Sequence, residues 1–330
     1  MRFSVIVPNC NGKATLGETL NAISRAVPAP AEVIVSDDGS TDGSETIAEG
    51  FGAKLVRSEI RRGASANRNA GAAAAAEDVL VFVDADVLLP PATFAVLAER
   101  FSDPGVSAAI GLLRPLTRFG DLLSQYKNYY MHYTYYRMPD TVSVFYTSIA
   151  AIRREVFAAC GGFETRYRSA TIEDMEFGVR MTARGYRIVL DRRLQVEHLK
   201  RYSFRLLLQT AFRRASGLAK IALRDRLSRE RKKSYVTTSS SFLAGMVLSS
   251  LSLVALAAAV VLPARPFLAL AAACYLLLLM LNAGFLAGFA RAASRPLYFL
   301  FGCGLIYVDL LAHDLGVLHG VLSFIAGRRY

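Results

Sequence analysis

The chain has 330 residues, enough for one large or two ordinary domains and for a sizeable buried core. Hydrophobic residues make up 53%, with a mean hydropathy of +0.31, yet 39 Lys+Arg stand against 27 Asp+Glu for a net charge of +12. These figures exclude intrinsic disorder, a collagen-like fibre and a disulfide-stapled miniprotein. Most of the excess charge is local: from Lys200 to Lys233 there are 12 basic and 2 acidic residues. The four cysteines, Cys10, Cys160, Cys274 and Cys303, form no CxxC pair, so neither a zinc knuckle nor a disulfide framework is expected.

The N-terminus shows no apolar signal segment, since Met1-Arg2 leads straight into a buried strand; the first domain is expected to begin at once and to stay in the cytoplasm. Up to about residue 200, short β-rich runs alternate with helical ones. Strands are predicted at 3–8, 32–36, 53–57, 79–83, 107–111, 145–152 and 187–190, and helices at 15–25, 43–51, 65–77, 92–101, 121–137 and 172–184. Thr15 with Glu18 spells a capping box, and Pro90-Pro91 precede a helix start. The alternation predicts a mainly parallel α/β sheet, whose ligands bind beyond the carboxyl ends of the strands.

Three of those strand ends are polar: Pro8-Asn9-Cys10-Asn11-Gly12, Asp37-Asp38-Gly39-Ser40 and Asp84-Ala85-Asp86. Residues i and i+2 of a strand project to the same face, so Asp84 and Asp86 are expected side by side at the mouth of a buried strand. Two such carboxylates repel unless a cation joins them, and hard oxygen donors suit Mg²⁺ or Mn²⁺. The segment from Arg61 to Gly71 adds cations and a helix N-terminus, both suited to a diphosphate.

In order along the chain, Val5-Ile6-Val7-Pro8 with Asn11, Ser36-Asp37-Asp38-Gly39-Ser40-Thr41-Asp42, Arg68-Asn69-Ala70-Gly71, Asp84-Ala85-Asp86, Arg153-Arg154 before Gly161-Gly162-Phe163, and Glu173-Asp174 resemble the family 2 glycosyltransferases. The resemblance continues through Glu176, Arg180, Gly185-Tyr186 and His198. It implies a GT-A (Rossmann-like) nucleotide-sugar-binding domain over residues 1–200. It also implies site residues. Pro8, Asn11, Asp37, Asp38, Arg68 and Asp84 would bind the nucleotide sugar, with Asp37 or Asp38 at the base and Asp84 on the ribose side. Asp86, and His198 if it is more than a packing residue, would hold the metal. Asp174 would be the general base and Glu173 its orienting neighbour, an assignment that also fits the chemistry of inverting sugar transfer. Glu176 and Arg180, spaced i and i+4, read as a helix-surface pair.

The sequence also departs from the family. Asn9 and Cys10 stand where relatives often place an aromatic residue near the base. A Gln-x-x-Arg-Trp motif is missing, because Gln209 is followed by Arg213 and Arg214 and the chain has no Trp. A single-addition enzyme of the hexosyltransferase class is therefore expected, not a processive synthase. A sugar nucleotidyltransferase would want a glycine-rich loop after the first strand, and a non-catalytic membrane adaptor would not need Asp84, Asp86 and Asp174 intact.

Residues 126–137 hold six tyrosines and a histidine, read as acceptor-side lining in preference to core packing. Residues 201–242 read as a basic amphipathic interfacial segment on anionic lipid; its position directly before an apolar run argues against a nucleic-acid partner. In the membrane domain, 243–330, uncharged runs at 243–262 and 267–290 are each long enough to span a bilayer. A third apolar segment, 297–326, carries Asp309, His313, Gly316 and Gly320 on one face, read as a polar stripe that packs against neighbouring helices. The placing of basic residues predicts a multi-pass protein of the inner (plasma) membrane with a cytoplasmic catalytic domain. Its expected partners are a nucleotide-sugar donor, by preference a UDP-sugar, and a lipid or lipid-linked acceptor.

Overall fold

The computed structural model describes residues 1–167, 172–227 and 240–328. They divide into two compact units, one made of 1–118 and 131–200, the other of 119–130, 201–227 and 240–328.

In the first unit the strands are β1 (Phe3–Asn9), β2 (Glu32–Asp38), β3 (Lys54–Ser58), β4 (Val79–Phe82), β5 (Val87–Leu88), β6 (Ala108–Leu113), β7 (Thr141–Val142), β8 (Ala150–Arg153) and β9 (Ile188–His198). Helices α1 (Leu16–Ser24), α2 (Ser44–Gly50), α3 (Ala64–Ala73), α4 (Thr93–Phe101), α6 (Arg154–Ala159) and α7 (Glu173–Ala183) lie between them, while α5 (Leu122–Tyr136) contains the division between the units. β1 and β4 are continuous apolar runs because both faces of the sheet are covered; Val5, Ile6, Val7 and Leu80 to Val83 are fully enclosed.

The sheet runs in the order β3-β2-β1-β4-β8-β6-β9-β5, with β7 against β9. It is mixed, not mainly parallel: β1, β2, β3 and β4 are parallel neighbours, but β8 lies antiparallel between β4 and β6. A helix between two strands does not by itself make them parallel: α5 lies between β6 and β8, yet these two strands run antiparallel. Of the predicted strand 145–152, only the end is a strand. The preceding loop crosses Gly178 of α7 so closely that a side chain there would meet the Phe145 amide nitrogen at 2.6 Å. β9 is far longer than its predicted 187–190, because the charges at 191–193 resemble a loop. They are instead paired: buried Asp191 accepts hydrogen bonds from Arg100 and Arg193. Burial opposes its charge, but these donors hold its carboxyl at about 2. The expected capping box is absent, since Thr15 makes no side-chain cap and Glu18 bonds Arg118.

In the second unit the described part of the basic segment forms α8 (Phe204–Leu227), residues 228–239 of the predicted interfacial segment lying outside the described residues; α9 (Ser240–Val261), α10 (Ala264–Leu281), α11 (Ala283–Ala292) and α12 (Leu297–Ile325) follow. Among the described residues three helices are long and apolar enough to cross a membrane: 241–261, 264–281 and 297–325. The predicted span 267–290 is broken at Asn282, whose side-chain amide donates to the Leu278 carbonyl, so α10 ends at Leu281. Leu207, Ala211 and Ala215 form an i, i+4 stripe that buries α8 against α12. Gly316 and Gly320 allow the close approach: a Cβ on either would meet the carbonyl oxygen of Phe212 or Ser216 at 2.4 Å. On the same face of α12 Asp309 and His313 are buried, and Asp309 lies 3.9 Å from the Lys127 ammonium.

Three of the six tyrosines of α5, Tyr126, Tyr129 and Tyr135, are buried packing residues, not the acceptor lining expected for the whole run, while Tyr136 is exposed. Tyr126 and Tyr129 pack their rings on Phe285 and Phe289 in the second unit, and Tyr135 packs on Tyr146 in the first. Dense tyrosine suits a wet surface by composition, but aromatic partners enclose these three rings.

The helix contact is testable by substitution. Gly316→Ala forces α8 away from α12 and should destabilise the detergent-solubilised protein by about 1–3 kcal/mol, read as a lower melting temperature. Gly304→Ala on the same helix, where nothing lies within 4 Å of the added methyl, should cause no loss.

Candidate active site

The first two sheet-end loops are tied to each other by their own side chains. Asn9 donates to Asp37 Oδ2 at 2.8 Å, and the Ser40 amide donates to Asp37 Oδ1 at 2.9 Å. Asp38 accepts the backbone amides of Arg62 and Gly63 at 2.7 and 2.9 Å, fixing the loop before α3. Asn11 adopts a left-handed backbone, φ 55°, its amide donating to Ser40 Oγ while its side-chain oxygen accepts the Thr41 amide. Pro8 pairs in register with Ser36. A cleft of about 220 Å³ opens beyond β2 and β3, lined by Asp37, Asp38, Arg57, Ser58, Arg62 and Asn67 among others. This is the ligand position of an open α/β sheet.

Asp84 and Asp86 converge, but not as successive residues of a strand. β4 ends at Phe82, and both aspartates stand on the loop to β5. A backbone pairing brings His198 to them: Val87 of β5 lies opposite His198 at the end of β9, and the Leu199 amide donates to the Asp86 carbonyl at 2.7 Å. His198 Nε2 is 3.5 Å from Asp86 Oδ1, and one ligand atom each from Asp84, Asp86 and His198 all lie within 4.8 Å of one another. Two carboxylates and an imidazole, all partly open to solvent, are a donor set that fits a hard divalent ion with open positions.

Behind this cluster lies Arg68, on α3 and only 4% exposed. Its Nη2 donates to Asp84 Oδ1 at 2.9 Å and its Nη1 to Glu173 Oε1 at 2.7 Å. Burial disfavours the guanidinium charge, but Asp84 and Glu173 outweigh it and hold the proton more firmly than usual. Ser148 donates to the other oxygen of Asp84 at 3.2 Å. Glu173, 2% exposed, also accepts the Ile172 amide and so fixes the first turn of α7. The next residue, Asp174, is half-buried and accepts the Met175 amide at 2.8 Å.

Glu176 and Arg180 form the expected i, i+4 pair, but it is internal, not a surface pair. Glu176 is buried, and Arg180 also donates to the carbonyls of Cys160 and Gly162, tying α7 to the turn after α6. Sequence reasoning missed Ser148, which lay inside a predicted strand, and missed Asn69 as a brace. The Asn69 amide grips Phe163 through both its backbone groups at 2.8 and 2.9 Å. The Arg68-Asn69 and Gly162-Phe163 motifs were both visible; their contact was not.

Residues 4–161 match the family model described as glycosyl transferase family 2. The O-antigen chain rhamnosyltransferase WbaN of Salmonella anatum is 29% identical over 223 residues, 64% of this chain and 70% of that protein. The validoxylamine A glucosyltransferase of Streptomyces hygroscopicus subsp. limoneus is 34% identical over 96 residues, 27% of this chain and 21% of that protein. Among solved structures, the mannosyltransferase PcManGT from Pyrobaculum calidifontis, in complex with GDP-Man and Mn²⁺, shares the fold with a TM-score of 0.59 at 22% identity, covering 99% of this chain and 88% of that one. S. aureus TarS residues 1–349 with UDP-GlcNAc gives 0.53 at 17%, covering 99% and 93%.

The cluster can be tested by metal binding alone. Titration with Mn²⁺, followed by loss of the free-ion EPR signal, should show a site that Asp86→Ala and His198→Ala each weaken by at least about tenfold. Asp42→Ala, a carboxylate that accepts the Lys13 and Ser44 amides, should leave it unchanged.

Proposed function

Because the chain carries a family 2 glycosyltransferase domain of GT-A fold followed by apolar helices, we propose that it moves a sugar, with inversion, from a nucleoside-diphosphate donor to a lipid or lipid-linked acceptor at the cytoplasmic face of the inner membrane. One observation carries the reading: a metal-type cluster of Asp84, Asp86 and His198 is linked through Arg68 to the helix turn that bears Asp174.

In this reading the nucleoside occupies the cleft beside Asp37 and Asp38, which act mainly by holding their loops in shape. Asp174 accepts the proton of the acceptor hydroxyl as its oxygen bonds to the anomeric carbon, and the bond from that carbon to the diphosphate breaks. A bound Mg²⁺ or Mn²⁺, held by Asp86 and His198 with Asp84, would neutralise charge on the departing diphosphate. The acceptor class is supported by the apolar helices, by the basic stretch from Lys200 and by the O-antigen relative. Lys and Arg flanking the apolar runs favour the cytoplasmic face, where nucleotide sugars are made.

A donor screen should identify the activity: UDP-, GDP- and TDP-hexoses, a nucleotide-activated rhamnose among them, offered with a polyprenyl-phosphate-linked sugar to protein in detergent while nucleoside diphosphate release is followed. Chelation should stop release and Mn²⁺ or Mg²⁺ restore it. Asp174→Asn should lower transfer by roughly 10²–10⁴-fold, the usual worth of a general base, with nucleotide affinity by calorimetry within a few-fold of wild type. Near-normal transfer by that variant would place the base elsewhere.

A further inference from the structure

We infer that Arg68 is a positioning residue that holds the donor-side Asp84 and the acceptor-side turn of α7 in fixed register, and not a ligand of the donor diphosphate. The inference rests on the transferase reading and concerns how its two halves are aligned.

The sequence offers Arg68 as a cation for phosphate, and its surroundings point elsewhere. A guanidinium binds phosphate by presenting free N–H groups in a fork. Here one arm of the fork is given to Asp84 and the other to Glu173. The remaining Nε is buried without a hydrogen-bond partner among the described residues, and the Phe163 ring lies 5.7 Å from the guanidinium carbon. A residue 4% exposed and spent on two carboxylates has little left to offer a ligand.

The same geometry gives it another task. The guanidinium is planar, so its two arms fix the separation and angle of the carboxylates they hold. Asp84 is thereby oriented through Oδ1, leaving Oδ2 toward Ser148. Glu173 is oriented through Oε1, while its Oε2 accepts the Ile172 amide at 3.1 Å and sets the turn in which Asp174 follows. Arg68 also offsets the repulsion of carboxylates that must stand close together, and Asp174 acts on it electrostatically too. Lysine, a single point charge, would keep the charge but could not hold both partners at the fork's angle.

The test uses the full chain in detergent with two variants, Arg68→Lys and Glu173→Gln, and the donor found by the screen. Transfer kinetics are compared with calorimetric binding of UDP, GDP and TDP at saturating Mn²⁺. If Arg68 positions, both variants lower kcat by about 10–100-fold, the scale of an ångström-level misplacement, with donor KM and nucleotide Kd within about threefold of wild type. If Arg68 instead binds the diphosphate, Arg68→Lys weakens nucleotide binding more than tenfold, while Glu173→Gln frees the guanidinium and tightens binding; that pattern overturns the inference. Glu173→Gln removes a charge without changing size, so it decides the matter even if Arg68→Lys does not fold: an unchanged kcat refutes positioning. A wild-type protein inactive with every donor would refute the transferase reading instead, a result distinct from either.

Discussion

The buried charge of Arg68 is the interaction on which the catalytic unit turns. An unpaired guanidinium inside a protein costs several kcal/mol, so its place on α3 is tolerable only if carboxylates reach it from other elements. They come from the loop after β4 and from the start of α7, two segments about ninety residues apart in sequence. Loops at the end of an open sheet have few backbone partners of their own. Here the polar side chains that mark the site also fasten its loops: Asp37 and Asp38 hold the turns before α2 and α3, and Asn69 holds Phe163.

Much of this was legible in the sequence, for identifiable reasons. β1 and β4 are legible because fully covered strands are continuous apolar runs, and a continuous run needs no knowledge of partners. The cluster residues were found because Asp84 and Asp86 are close in sequence. The reason they meet His198 was not legible: it lies in β5, two residues long and too short to leave a pattern, pairing with the last residues of β9. β9 itself was cut short because its charges looked solvated, whereas Asp191 is enclosed by arginines brought from α4 and from its own strand. Periodicity reports which face is apolar; it does not report which charge will find a partner.

The same limit explains the helical part. Composition identified long apolar segments but not the break at Asn282, since asparagine in a helix is unremarkable until its side chain bonds back to the preceding turn. The face shared by Asp309, His313, Gly316 and Gly320 was readable from spacing alone, and α8 lies along it. Spacing does not distinguish Tyr126 and Tyr129 as core residues, because a phenol ring serves a core as well as an interface when phenylalanines stand opposite.

Asp309 bears on how the chain is assembled. It sits near the middle of α12, the least apolar of the three long helices, with a mean hydropathy of 1.5 against 2.2 and 2.0, and the one most covered by protein. An aspartate at the centre of a membrane-spanning helix would carry a penalty of about 2.5–3.5 kcal/mol, and among the described residues neither Asp309 oxygen has a hydrogen bond to lessen it. Lys127, 3.9 Å from Asp309, belongs to α5, far earlier in the chain. Of the three long apolar helices α12 is thus the one least suited to an apolar surrounding alone, and its burial gains from the partner that α5 supplies.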